Sequence, residues 1–271
     1  MTRYDVNLSI LFTELPLLER PAAAAKAGFT AVELWWPFAG PEPPRAALDA
    51  LRRAIEEAGV RLVGLNFDAG DMAAGDRGLL SRLAGSERFR ANIDVATGFA
   101  GSLGCRVLNA LYGNAEPGVE PEAARRLAVQ NLTLAAEAAD RVGATVVIEA
   151  LNSYESPKYP ITSSLAAFEL IDEVGAPNVA FLADLYHLER MGEDLAALID
   201  RHATRFGHVQ IADVPGRGQP GTGEMPYAAL FRRLEAVGYR GHIGLEYKPV
   251  GPSADSFDWL TPRERSAPDE S

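Results

Sequence analysis

The chain has 271 residues, 47% of them hydrophobic, enough to bury one large core. Its 26 basic and 37 acidic residues leave a formal net charge of −11, which argues against nucleic acid and anionic membrane as partners, because both call for clustered Lys and Arg. The single cysteine, Cys105, excludes an internal disulfide framework and a cysteine-based metal site.

Hydrophobic periodicity predicts an alternation of strands and helices from the first residues onward. Val6–Phe12 reads as a strand, and Leu17–Ala27, closed by Gly28, as a helix. A strand over Ala31–Trp36 stops at Pro37, then a helix over Pro44–Ala58 precedes a strand over Arg61–Phe67. A long polar loop, Asp68–Gly78, leads to a helix over Ser86–Leu103 and a strand over Arg106–Tyr112. A long Ala/Leu/Glu-rich helix spans Pro121–Val142, before the apolar strand that begins at Thr145. Helix Ser164–Val174, strand Val179–Leu185, helix Asp194–Thr204, strand Phe206–Ala212, helix Tyr227–Val237 and strand Gly241–Tyr247 complete the series.

Eight such units predict a single (β/α)8 TIM barrel, which typically needs about 250 residues. The expected organisation is one barrel domain over residues 1–250 and a loosely held C-terminal tail over 251–271, with Phe257, Trp259 and Leu260 as docking anchors. The N-terminus lacks a signal-peptide layout and no apolar run approaches a membrane span, so a soluble cytoplasmic protein is expected. Outer helical faces are compatible with a homo-oligomer, but no residue pattern marks an interface.

Functional groups of such barrels sit at the C-terminal ends of strands. Here Val146-Val147-Ile148 runs into Glu149, Phe181-Leu182-Ala183 into Asp184, His208-Val209 into Gln210, and Ile243-Gly244-Leu245 into Glu246. Three carboxylates and an amide meeting at one mouth repel one another unless protons or a cation intervene. An all-oxygen set suits a hard divalent ion, Mg²⁺ or Mn²⁺, better than zinc. The plainer alternative is rim ion pairing of these acids with Arg190, Arg217 or Lys248.

His187, three residues after Asp184, falls on the same rim and can donate to a substrate hydroxyl or carboxylate. Arg217, in the glycine-rich loop Val214–Glu224, presents a fork suited to a substrate carboxylate, and Lys248 is a second candidate for that role or for pairing with Glu246. His208 and His242 share a face with Gln210 and Glu246 but lie deeper, which suits structural roles. Glu33, Asn7, Asn66 and Asn109 either line the pocket or are satisfied interior groups. Trp35, Trp36 and Phe12 read as pocket wall or core.

Across residues 4–250 the chain resembles the hydroxypyruvate isomerase family of xylose isomerase-like (AP endonuclease 2-like) barrels. The resemblance rests on Asn7–Phe12, Ala69–Gly78, Ile148–Asn152, Asp184–His187, His208–Asp213, Pro220–Glu224 and Glu246–Pro249 taken together. It implies Glu149 and Glu246 as an acid/base pair and Glu149, Asp184, Gln210 and Glu246 as metal ligands, with His187 and Arg217 near the substrate. Relatives that epimerise ketoses hold a substrate-contacting Glu where this chain has Glu155. The expected activity is isomerisation of a small 2-oxo acid, hydroxypyruvate to tartronate semialdehyde, through a metal-stabilised enediolate. Isomerisation of 2-oxotetronate, epimerisation of a ketose, or carboxylate binding without catalysis are the alternatives.

Overall fold

A computed structural model describes residues 2–266. Among these residues, parallel strands close into a barrel in strict sequence order: β1 (Arg3–Asn7), β2 (Ala31–Leu34), β3 (Arg61–Asn66), β4 (Val107–Asn109), β5 (Thr145–Glu149), β6 (Val179–Asp184), β7 (Phe206–Ile211) and β8 (His242–Leu245). β1 pairs with both β2 and β8, so no edge is left open. The outer layer comprises α1 (Arg20–Lys26), α2 (Arg45–Ala58), α3 (Ser86–Ser102), α4 (Pro121–Asp140), α5 (Ser164–Val174), α6 (Leu185–Arg190), α7 (Leu195–His202) and α8 (Tyr227–Ala236), and α9 (Pro262–Arg265) follows the barrel. Strands such as β5 are apolar on successive residues because the lumen takes one face and the helices the other.

The predicted fold class is the observed one, and the differences are local. β1 stops at Asn7 rather than reaching Phe12. Ile10 and Leu11 donate their backbone N–H back to the Asn7 carbonyl, and Phe12 adopts φ +57°. Leu8, Leu11 and Phe12 stay buried in that turn, so apolar continuity alone does not separate it from a strand. α6 was absent from the expected series. It begins directly at the end of β6, where Asp184 Oδ1 caps it by accepting from Tyr186 N at 2.9 Å.

The segment after residue 250 is not loosely held where it is described. The Phe257 ring is fully buried against Phe29, with centroids 4.7 Å apart, and also meets Phe12 and Tyr247. Trp259 packs edge-on against Tyr4 at 5.6 Å, and Ser253 Oγ accepts from Phe12 N. Apolar content this small sufficed because the barrel offers a matching aromatic face. Residues 267–271 of the expected tail lie outside the described residues. No helix among the described residues is long and apolar enough to cross a membrane.

Candidate active site

Register carries the four strand-end acceptors to one mouth. Asp184 pairs with Gln210 across β6–β7 and Gln210 with Gly244 across β7–β8, so Glu246, two residues on, points to the same side as Gly244. Glu149, Glu246, His187, Arg217, Glu155 and Lys248 line one cavity of about 1050 Å³. Asp184 and Gln210 are buried at the same mouth, and Asn109 sits behind Glu149, donating Nδ2–H to Oε2 at 2.8 Å.

Glu246 accepts from three donors. Trp35 Nε1 lies 2.6 Å and Asn7 Nδ2 2.9 Å from Oε1, while Arg217 Nη2 lies 2.7 Å from Oε2. Arg217 also comes within 4.0 Å of Asp184 and 3.9 Å of Glu155, and Lys248 Nζ lies 3.6 Å from Glu155. Ion pairing of Glu246 and Asp184 with Arg217 therefore coexists with their convergence, whereas Lys248 pairs with Glu155 rather than with Glu246. Arg190 instead stacks over Tyr154.

Burial dominates the electrostatics. It pushes Glu149 well above the usual carboxylate range, aided by the charges of Glu246 and Asp184 and opposed by the Asn109 amide. Burial takes Glu246 to about 8, against the pull of Arg217 and with the push of Asp184 and Glu33. Burial raises Asp184 to about 6, opposed by Arg217 and by the N–H groups of Tyr186 and His187. His187 is driven well below 6.5 by burial and then by the charges of Arg217 and Arg77. The Asn152 backbone N–H donates to His187 Nδ1 at 3.1 Å, so the neutral ring carries its proton on Nε2. That N–H faces Asp184 Oδ2 at 3.6 Å and Glu149 Oε1 at 3.9 Å, too long for hydrogen bonds. His187 is thus arranged as a donor into the cavity.

Two groups could hold a metal ion among the described residues: Glu149–Asp184–His187 at the mouth and Asp5–Glu33–His208 beneath it. In the upper group Asp184 Oδ2 is buried without a hydrogen-bond partner, and so is the nearby Gln210 Oε1. Free lone pairs on a carboxylate and an amide, beside two further carboxylates, fit a hard divalent cation. The protonated Nε2 of His187 does not favour ligation through that atom.

The lower group is a polar foundation. Glu33, whose place the sequence left open, accepts from Asn7 (2.9 Å) and Gln210 (2.7 Å) at Oε1 and from His208 (2.8 Å) at Oε2. It fits there because β3 and β8 carry Gly64 and Gly244, where an added Cβ would lie within 3.2 Å of Glu33 atoms. Although burial opposes it, the charge of Glu33 raises His208 to about 9. Its structural role matches the expectation from depth.

Sequence reasoning missed three contributors. Trp35 read as wall but is a donor to Glu246. Asn152 orients His187. Arg77, within the Ala69–Gly78 loop, lines the cavity. The signals were a Trp at a strand end, an Asn three residues after Glu149, and a lone arginine in a glycine-bounded loop.

A family described as the xylose isomerase-like TIM barrel matches residues 21–263. A Streptomyces coelicolor protein with a provisional hydroxypyruvate isomerase name is 60% identical over 98% of both chains. The hydroxypyruvate isomerase of Escherichia coli is 34% identical over 97% of this chain and 99% of its own length. A 2-oxo-tetronate isomerase of Pectobacterium atrosepticum is 35% identical over 97% and 98%. A solved structure described as an AP endonuclease, family 2, from Brucella melitensis superposes with a TM-score of 0.88 at 39% identity, covering 96% of this chain and 98% of that one. With this fold, this mouth and these relatives, the chain belongs to the hydroxypyruvate isomerase family of xylose isomerase-like TIM barrels and is an isomerase.

Proposed function

We propose that the protein interconverts hydroxypyruvate and tartronate semialdehyde, with Glu149 and Glu246 as the proton-transferring pair. The observation that carries this reading is that two buried, mutually repelling glutamates line one cavity, both with raised proton affinity. Raised proton affinity suits such groups to proton transfer near neutral pH, one taking a proton from the substrate carbon and either returning one.

One glutamate removes the C3 proton of hydroxypyruvate, and the electron pair forms an enediol. That glutamate, now carrying the proton, or its partner across the substrate delivers a proton to C2, while the hydroxyl proton passes from the C3 oxygen to the C2 oxygen. Atoms and electrons balance without an external oxidant. His187 Nε2–H orients the two oxygens, Arg217 holds Glu246, and Glu155 and Lys248 close the rim. Glu149, Asp184, Gln210 and Glu246 would hold a divalent cation, Mg²⁺ or Mn²⁺, which when bound polarises the substrate oxygens.

The test is deuterium incorporation from solvent into hydroxypyruvate. Exchange should fall when a chelator removes metal and return with Mg²⁺ or Mn²⁺. Glu149→Gln and Glu246→Gln should each slow it by about 10²- to 10⁴-fold with melting temperature maintained. Near-wild-type exchange in either variant overturns the assignment. The cavity volume leaves room for a fourth carbon, so 2-oxotetronate is the second reading. The ratio of kcat/KM for the two acids decides between them.

A further inference from the structure

Three cationic side chains line the cavity: Arg77, Arg217 and Lys248. Two are engaged by protein carboxylates. Arg217 donates to Glu246 at 2.7 Å and lies within 4.0 Å of Glu155 and Asp184. Lys248, with 63% of its side chain exposed, pairs with Glu155.

Arg77 differs from both. Its Nη1 donates to the backbone carbonyls of Met72 (3.1 Å) and Asp76 (2.7 Å), and its Nε to Ser156 Oγ (3.3 Å). Every one of these acceptors is neutral. Among the described residues Nη2 makes no hydrogen bond and no carboxylate lies within ion-pair distance of the guanidinium. A half-buried guanidinium with an unpaired Nη2, on the wall of a cavity floored by acids, is open to an anionic ligand.

Its loop holds it in place. Gly78 N donates to the Ala69 carbonyl at 3.0 Å, and Gly78 forms an antiparallel bridge with Tyr112. At Gly78, with φ +107°, a Cβ would lie 2.1 Å from the Leu111 carbonyl oxygen, so the close approach needs glycine. Asp76 Oδ2 accepts from Asp71 N at 3.0 Å, bracing the other side. Loop geometry is therefore paid for before ligand arrives, as a preorganised anion site requires.

We infer that Arg77 is the carboxylate-binding residue of this site, taking the C1 carboxylate of a small 2-oxo acid through its unpaired Nη2 edge. Arg217 is then kept for Glu246 and Asp184 rather than for substrate. The identity of the acid rests on the isomerase reading above; the anion subsite rests on the partners of Arg77.

The experiment compares hydroxypyruvate with dihydroxyacetone, in which a neutral hydroxymethyl group replaces the carboxylate. Arg77→Met should lower the ratio of their kcat/KM values by roughly 10- to 150-fold, the size of a charge-assisted hydrogen bond. Arg77→Lys, which keeps the charge but not the fork, should give a smaller selective loss and serves if the Met variant folds poorly. An unchanged ratio, even with both activities reduced, overturns the inference, as does a selective loss in Arg217→Met but not in Arg77→Met. Calorimetry with pyruvate, which lacks the C3 hydroxyl, separates the two readings. If the wild type fails to isomerise hydroxypyruvate but Arg77→Met still weakens pyruvate binding 10-fold or more, the reaction assignment fails and the anion subsite stands. Pyruvate binding that is absent in the wild type, or equal in both proteins, overturns the subsite.

Discussion

Glu246 illustrates how single side chains set this chemistry. Burial alone would hold its proton tightly, and the charge of Arg217 with the Trp35 donor brings the group back to about 8, within reach of neutral pH. Trp35→Phe keeps the ring and deletes the 2.6 Å donor. The expected outcome is a roughly 10-fold fall in kcat, with the ionisation governing the base moved to higher pH, because a bond that favours the charged carboxylate is lost. The pH–rate profile checks it, and an unmoved limb would show that the indole N–H only packs.

At the level of elements, the mouth depends on loops and on the packed segment after β8. Asp213 staples the loop that carries Arg217. Its Oδ2 accepts from Gly221 N and Gly223 N, and its Oδ1 from Val214 N and Met225 N, at 2.8–3.0 Å. Asp213→Ala leaves those N–H groups without their acceptor. We expect kcat/KM to fall about 100-fold as Arg217 loses its seat, with stability lowered by about 2 kcal/mol, measured by kinetics and denaturant melts. Phe257 tests the other element. It is fully buried between Phe12, Phe29 and Tyr247, so Phe257→Ala should cost about 3–5 kcal/mol by the same melts. A cost under about 1 kcal/mol would mean that the segment is a loose appendage.

The whole molecule carries a buried ionic layer that couples stability to pH. His208 moves from 6.5 to about 9 on folding because Glu33 and Asp5 lie beside its ring. Its raised affinity means that the folded protein binds the proton more tightly than the unfolded chain. The contribution is therefore fully present below pH 6.5 and is lost as pH rises through about 9, with a magnitude on the order of 3 kcal/mol. Denaturant melts between pH 6.5 and 9.5 should show a decline for the wild type and a flatter curve for His208→Asn, which starts lower. A wild-type curve that rises with pH over this window would refute the charged ring.

Alternation of apolar runs and helix signals, written in contiguous residues, determined the barrel and placed Glu149, Asp184, Gln210 and Glu246 at strand ends. Local periodicity suffices there because strand direction and register translate sequence position into height along the barrel. Which acceptors stay free was not legible, because the deciding partners are distant in the chain: Asn7 meets Glu246 across 239 positions and His208 meets Glu33 across 175. The same holds for Arg77, whose freedom is defined by the carboxylates it does not meet, and for Phe257, whose burial needs an aromatic face built from three other segments. Residue type and strand position were properties of the sequence, whereas the assignment of each charge to a partner required closure of the barrel.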